Sequence, residues 1–100
     1  MSRYRLTPRA LRDLDAIADY TLANWGERQT EKYLEELEQR FCWLARNPGA
    51  GRSRDEIGAS YKSWPHGAHV IFYLIEAGEV AIIGVPHGSM DAEAYFKAPD

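Results

Sequence analysis

A chain of 100 residues has room for one hydrophobic core and no second module. Its 45% hydrophobic and 27% charged residues fall in the range of folded proteins, which excludes disorder over most of the length. The net charge of −3 comes from 12 basic and 15 acidic side chains; it excludes the broad basic face with which proteins grip phosphates, so tight independent binding to DNA or RNA is not expected.

No run approaches the roughly 18 apolar residues that cross a bilayer, so no membrane association is expected. Met1-Ser2-Arg3-Tyr4-Arg5 leads into no apolar signal segment, and the expected location is the cytoplasm. Cys42 is the sole cysteine, which rules out an internal disulfide. Its place in a helical pattern reads as a small buried hydrophobe rather than a nucleophile.

In chain order, Tyr4-Arg5-Leu6 alternates as a short strand does. Thr7-Pro8 then reads as a helix start: the hydroxyl caps free N–H groups, and proline suits the first helical position. Leu14, Ile17, Ala18, Thr21 and Trp25 recur at helical spacing and predict one buried stripe. Asp13 and Asp15 sit where negative charge suits the helix dipole, and Gly26 is placed to end the helix in a left-handed conformation. A second helix is predicted over residues 27–46, with Leu34, Leu37, Phe41 and Leu44 as its apolar stripe and Asn47-Pro48-Gly49 as its stop. So short a connection predicts an antiparallel hairpin, whose stripes need a further layer to cover them.

Residues 49–58 read as a loop. Ser60-Tyr61-Lys62-Ser63-Trp64 alternates like a strand, Pro65-His66-Gly67 marks a turn, and residues 69–75 form a strand apolar at nearly every position. Glu76-Ala77-Gly78-Glu79 is a tight hairpin connection into a strand over residues 80–85, which Pro86 ends or kinks. Residues 91–96 form a short terminal turn of helix. The predicted architecture is a single α+β domain over residues 1–100, with an N-terminal strand, an antiparallel helical hairpin packed on one face of a small antiparallel β-sheet, and a short C-terminal turn or helix. One helix layer covers one sheet face, yet residues 70–75 are apolar on both. Either loops and the chain end cover the second face, or it awaits a protein partner.

The chemistry-bearing side chains are sparse. His66 and His69 have an H-x-x-H spacing, but it spans a turn and a strand start, so no metal site is expected. His87, Ser89 and Asp91 crowd one loop, where a hydrolase triad cannot line up. No cofactor is expected, since phosphate-binding glycine patterns are absent. Acid–base cleavage of RNA is the enzymatic alternative: His87 and Tyr95 could move protons, with Arg46, Arg52, Arg54 or Lys62 as the charge. Residues 69–85 contain no Lys or Arg to clamp a phosphoryl group there.

Taken together, Tyr4-Arg5-Leu6-Thr7-Pro8-Arg9-Ala10, Asp13-Leu14-Asp15-Ala16-Ile17, Tyr20, Trp25-Gly26, Leu44-Ala45-Arg46-Asn47-Pro48-Gly49-Ala50-Gly51-Arg52, His69-Val70-Ile71-Phe72-Tyr73 and Val85-Pro86-His87-Gly88-Ser89-Met90-Asp91 resemble the RelE/ParE toxin superfamily. The likeness is to its ParE-type branch and runs along essentially the whole chain. It implies a helical hairpin on an antiparallel sheet and the toxin role in a type II toxin–antitoxin system. The implied partner is a cognate, ParD-like antitoxin, itself a DNA-binding dimer, whose C-terminal segment folds onto the toxin. The ParE branch implies inhibition of DNA gyrase by protein–protein contact, whereas the RelE branch implies mRNA cleavage on the ribosome. At the basic positions of the RNA-cleaving branch this chain has His69, Gly88 and Ser89, which favours the non-enzymatic reading; Tyr95 matches a terminal tyrosine of that branch. It departs from common ParE patterns at Leu74, where an arginine is usual, and at Ile83-Gly84-Val85-Pro86-His87. Candidate antitoxin contacts are Trp64, Phe72, Tyr73 and Leu74, and candidate target contacts are His87, Met90, Asp91 and Tyr95. A non-toxic antitoxin-binding module is the third reading.

Overall fold

Thr7 closes a strand and opens a helix at one residue in the computed structural model, which describes residues 3–99. Its N–H donates to Ile82 O at 3.1 Å, while its hydroxyl accepts from Ala10 N at 3.3 Å, and Pro8 takes the first helical position. From there the chain runs as β1 (Tyr4–Leu6), α1 (Pro8–Trp25), α2 (Glu27–Arg46), a 3-10 turn (Pro48–Ala50), β2 (Arg52–Ser53), β3 (Lys62–His66), β4 (His69–Glu76), β5 (Glu79–Gly84) and α3 (Ala92–Lys97). The reading of the N-terminus as free of a signal segment falls partly on Met1 and Ser2, which lie outside the described residues.

The helical hairpin and the terminal helix are as predicted. Gly26 has φ +86° but ψ 175°, an extended conformation open to glycine rather than the left-handed helical one. Its N–H still closes α1 on Leu22 O. Asp13 and Asp15 lie past the first turn of α1, so neither complements the helix end. Cys42 is only half-buried.

The five strands form one sheet in the order β1-β5-β4-β3-β2. It is mixed rather than purely antiparallel, because β1 pairs with β5 in parallel, Tyr4 opposite Val80 and Leu6 opposite Ile82. No hairpin joins these strands, so no turn constrains their direction. The β4–β5 hairpin turns on Ala77 and Gly78, both at positive φ, which suits the right-handed twist of the flanking strands. Strand β3 begins two residues later than its alternation suggests. Ser60 sits at φ +67° with its N–H on Asp55 Oδ1, outside the extended region.

The core lies between the helices and one sheet face. Leu37, Phe41 and Leu44 of α2 and Ala10 and Ile17 of α1 bury against Ile71, Tyr73, Val80, Ile82 and Val85. Trp25, predicted to join that stripe, is 70% exposed. The apolar second face of β4 has a structural answer. Phe72 packs edge-on to Phe96 of α3, Phe96 meets Tyr61 of the loop before β3, and the Arg54 guanidinium lies over the Phe72 ring. The chain end and the loop cover this face.

Tyr73 is a pillar within the main core. Fully buried, it donates its hydroxyl proton to Pro48 O at 2.8 Å and accepts from Gly51 N at 2.8 Å, tying the central strand to the end of α2. A side chain on Gly51 would overlap the ring. Tyr73→Phe strands both backbone groups, and the expected loss is about 1–3 kcal/mol of unfolding free energy. Urea denaturation checks it: the midpoint should fall with an unchanged slope, and an unchanged midpoint would remove Tyr73 as a structural anchor.

Candidate functional site

An open groove of about 950 Å³ runs between α1, the start of α2 and the chain that leaves β5. Strand geometry explains its floor. Between β4 and β5 the register shifts at Phe72/Tyr73, so that Tyr73 faces Ile82 while Phe72 faces Gly84 and Ile83 is the extra residue. The shift places Val85 in the core and leaves Gly84 on the opposite face, where a side chain would overlap the Tyr95 hydroxyl. The exit stays attached to β4: Val70 N donates to Pro86 O at 2.9 Å and Gly88 N to Ala68 O at 2.7 Å. His69 and His87 are thereby held opposite one another.

Asp13 ties this floor to α1. Its Oδ2 accepts from Val85 N at 2.7 Å and from the Tyr95 hydroxyl. Burial first, then the bond to Asp13 and its charge, hold the Tyr95 phenol above the ordinary tyrosine value of 10.0. Arg9 grips the end of α3 through Tyr95 O at 2.6 Å and Ala98 O at 2.8 Å. Asp91 caps α3, its side chain accepting from Glu93 N and Ala94 N. The His87 ring is committed as well: Ser89 N donates to its Nδ1 at 3.1 Å, with Ser89 Oγ 2.7 Å away. That pattern assigns Nδ1 as acceptor and the neutral ring's proton to Nε2.

Across the groove, Tyr33 of α2 stands between two histidines. Its hydroxyl lies 2.7 Å from His69 Nδ1 and donates to His66 O at 3.1 Å. His69 is held below the usual histidine value by burial first, then by His87 and His66; burial and then Arg40 lower His66. The outer wall is an aromatic shelf. Tyr20 is 67% exposed, Trp25 70% and Met90 54%, all lining the groove. Among the described residues the lining contains no Lys or Arg. A smaller cleft of about 440 Å³, with Arg9, Arg12 and Asp91, adjoins it and shares Asp13, Met90 and Tyr95.

The structure therefore brings His87, Met90 and Tyr95 to one groove and Asp91 to its neighbour. It does not bring Trp64, Phe72, Tyr73 and Leu74 together. Tyr73 is under the helices; Trp64, on that same face, stacks on Trp43 at 4.9 Å with Arg40 beside both. Phe72 is buried on the opposite face, where Leu74 is half-buried. Sequence reasoning missed Asp13, Tyr20, Tyr33 and Trp25 as groove residues. Asp13, Ile17 and Tyr20 do fall on one helical stripe, but that stripe merely flanks the core-facing one.

A family model described as the ParE toxin of the type II toxin-antitoxin system, parDE, matches residues 4–92. The chain is 39% identical over 96 residues to Toxin ParE1 of Caulobacter vibrioides, covering 96% of this chain and 99% of that one. It is 39% identical over 93 residues to Toxin ParE1 of Mycobacterium tuberculosis (strain H37Rv), covering 92% and 95%. A solved structure of the chromosomal ParDE TA system from P. aeruginosa superposes with a TM-score of 0.73 at 18% identity, covering 87% of this chain and 96% of that one, a likeness of fold.

The Tyr95–Asp13 bond has a pH signature. An unfolded phenol ionises near 10 while the folded one keeps its proton, so the folded state holds more protons above that pH and loses stability as pH rises. Between pH 8 and 11 the unaltered chain should lose unfolding free energy more steeply than Tyr95→Phe. Parallel pH profiles in urea denaturation would show that Tyr95 contributes nothing to the linkage.

Proposed function

The chain belongs to the ParE toxin family of type II toxin–antitoxin systems, and from that premise we propose that it acts in the cytoplasm by protein–protein contact, with DNA gyrase as target and a ParD-like antitoxin as neutralising partner. The observation that carries this reading is the groove itself: an exposed shelf of Tyr20, Trp25 and Met90 over a floor lined by no Lys or Arg among the described residues. Aromatic side chains in a concave site are what interfaces use as anchors. Two of the groove's proton-transfer groups are already engaged. Tyr95 donates to Asp13, and His87 Nδ1 accepts from Ser89. RNA cleavage needs a cationic clamp on the phosphorane-like transition state beside its acid and base, and among the described residues this groove is lined by no Lys or Arg.

The same surface serves both partners in this proposal. The second face of β4 is already covered by α3, so an amphipathic antitoxin segment lies in the groove, in contact with Tyr20, Trp25 and Met90. His87, Met90 and Tyr95 keep their proposed role at the target, and the neighbouring Asp91 acts by fixing α3. Trp64 and Leu74, which retain exposed surface, remain candidates for secondary antitoxin contacts; Phe72 and Tyr73 support them from the core. Neutralisation is then direct occlusion of the target-binding surface.

Pulse-labelling of DNA and protein synthesis just after induction of this chain alone tests the target. DNA synthesis should stop first, and a purified chain should inhibit gyrase supercoiling. An early stop in translation would overturn the gyrase reading and promote RNA cleavage. Trp25→Ala, at an exposed position, should change stability by less than about 0.5 kcal/mol. It should weaken antitoxin binding about thirtyfold, the scale of a hot spot of about 2 kcal/mol. Unchanged affinity by titration calorimetry would move the antitoxin elsewhere.

A further inference from the structure

Three histidines and one tyrosine meet at the groove floor from separate elements. His66 ends β3 and His69 begins β4, paired across the turn between them. His87 follows β5, its ring edge-on to His69 at 5.5 Å between centroids. Tyr33 reaches over from α2, its ring 5.6 Å from each of His66 and His69. His69 and His87 line the groove directly, with Ala68 and Pro86 beside them.

We propose that the groove is proton-gated: His69 must be uncharged for an apolar segment to dock, and its protonation in mild acid releases that segment. This rests on the docking reading above. The hydrogen-bond chain defines the neutral state. With the Tyr33 proton given to His66 O, His69 Nδ1–H donates to the Tyr33 oxygen and Nε2 carries a bare lone pair. Protonation adds an N–H and a full charge to a ring that His87 meets edge-on.

The groups facing His69 set the balance. His66 on β3 and His87 after β5 oppose its charge, and burial opposes it more. Asp13 of α1 favours it, but that carboxylate already accepts from Val85 N and the Tyr95 hydroxyl. On α2, Tyr33 bonds to His69, while Arg40 and Glu36 act with opposite signs on His66. An apolar occupant removes water from this wall, and a buried cation without a paired anion is costly. The docked state then binds one proton fewer than the free one. Affinity therefore falls by up to about tenfold per pH unit below the His69 midpoint.

The full-length chain tests both halves. The probe is Nile red, an uncharged apolar fluorophore, titrated between pH 8 and pH 5. Binding should weaken at least fivefold across that range, lose most of its pH dependence in His69→Gln, and fall at every pH in Trp25→Ala. Binding insensitive to Trp25→Ala would sink the docking reading. Binding that needs Trp25 but is flat with pH, or equally pH-dependent in His69→Gln, would sink the gate alone. Imidazole NMR of the unaltered chain supplies a check independent of the His69 variant. The His69 midpoint should lie below the ordinary histidine value of 6.5 and rise in His87→Gln. A midpoint that ignores His87 would overturn the coupling.

Discussion

Strand β5 outruns its partner. β1 pairs only as far as Leu6, and Thr7 N makes the last ladder bond before the chain turns into α1. Val85 continues into the core with its N–H on an edge that has no strand beside it. An unmet backbone donor there would cost about 1–3 kcal/mol. The Asp13 carboxylate meets it from α1, and the same oxygen receives the Tyr95 phenol from α3. One side chain thus fastens the helical hairpin, the sheet exit and the terminal helix. The groove is the space these three elements enclose, so its shape depends on that junction. Gly84 is part of the same constraint, since any side chain would occupy the path of the Tyr95 hydroxyl.

The second consequence concerns which face stays open. Because α3 is anchored through Tyr95 and through the Arg9 bonds to its last turn, Phe96 is delivered onto Phe72. Phe72 is thereby covered within the chain, while Ile75 near the end of β4 stays 46% exposed. The larger exposed aromatics lie on the α1 side, where Tyr20 and Trp25 face solvent. The charged side chains Arg9, Arg12 and Asp91 lie in the adjoining cleft, beside a shelf lined by no Lys or Arg among the described residues.

Local signals in the sequence were readable because each is decided within a few residues. Thr7-Pro8 marked the start of α1, the Leu37–Phe41–Leu44 stripe marked the buried face of α2, and Ala77-Gly78 marked the hairpin. The features that set the groove are not local. The parallel docking of β1 and the bond from Asp13 to Val85 join residues 76 and 72 apart in sequence, and the extra residue at Ile83 depends on how β5 meets β4. An aspartate on a helix reads as a solvated or dipole-complementing charge until the strand end it serves is known. Trp25 misled in the opposite sense. Its helical spacing matched the core stripe, but it is the last residue of α1, and the chain turns at Gly26 before anything covers it. Tyr73 was legible as a sheet residue but not as an anchor, since its partners Pro48 and Gly51 belong to a loop whose path periodicity does not describe.

The bonds made by His87 and Tyr95 bear on the choice between the proposed contact surface and a catalytic one. A general base must present a free lone pair to its substrate, and a general acid a proton whose loss is not penalised. Here the Nδ1 lone pair is used by Ser89, and loss of the Tyr95 proton is opposed by burial and by Asp13. Those same bonds tie the loop after β5 to itself and to α1. For recognition such ties are an advantage, because a pre-ordered surface loses less entropy when a partner docks. The aromatic shelf, a groove lined by no Lys or Arg among the described residues, and the fastened exit are all features that the proposed contact role would use.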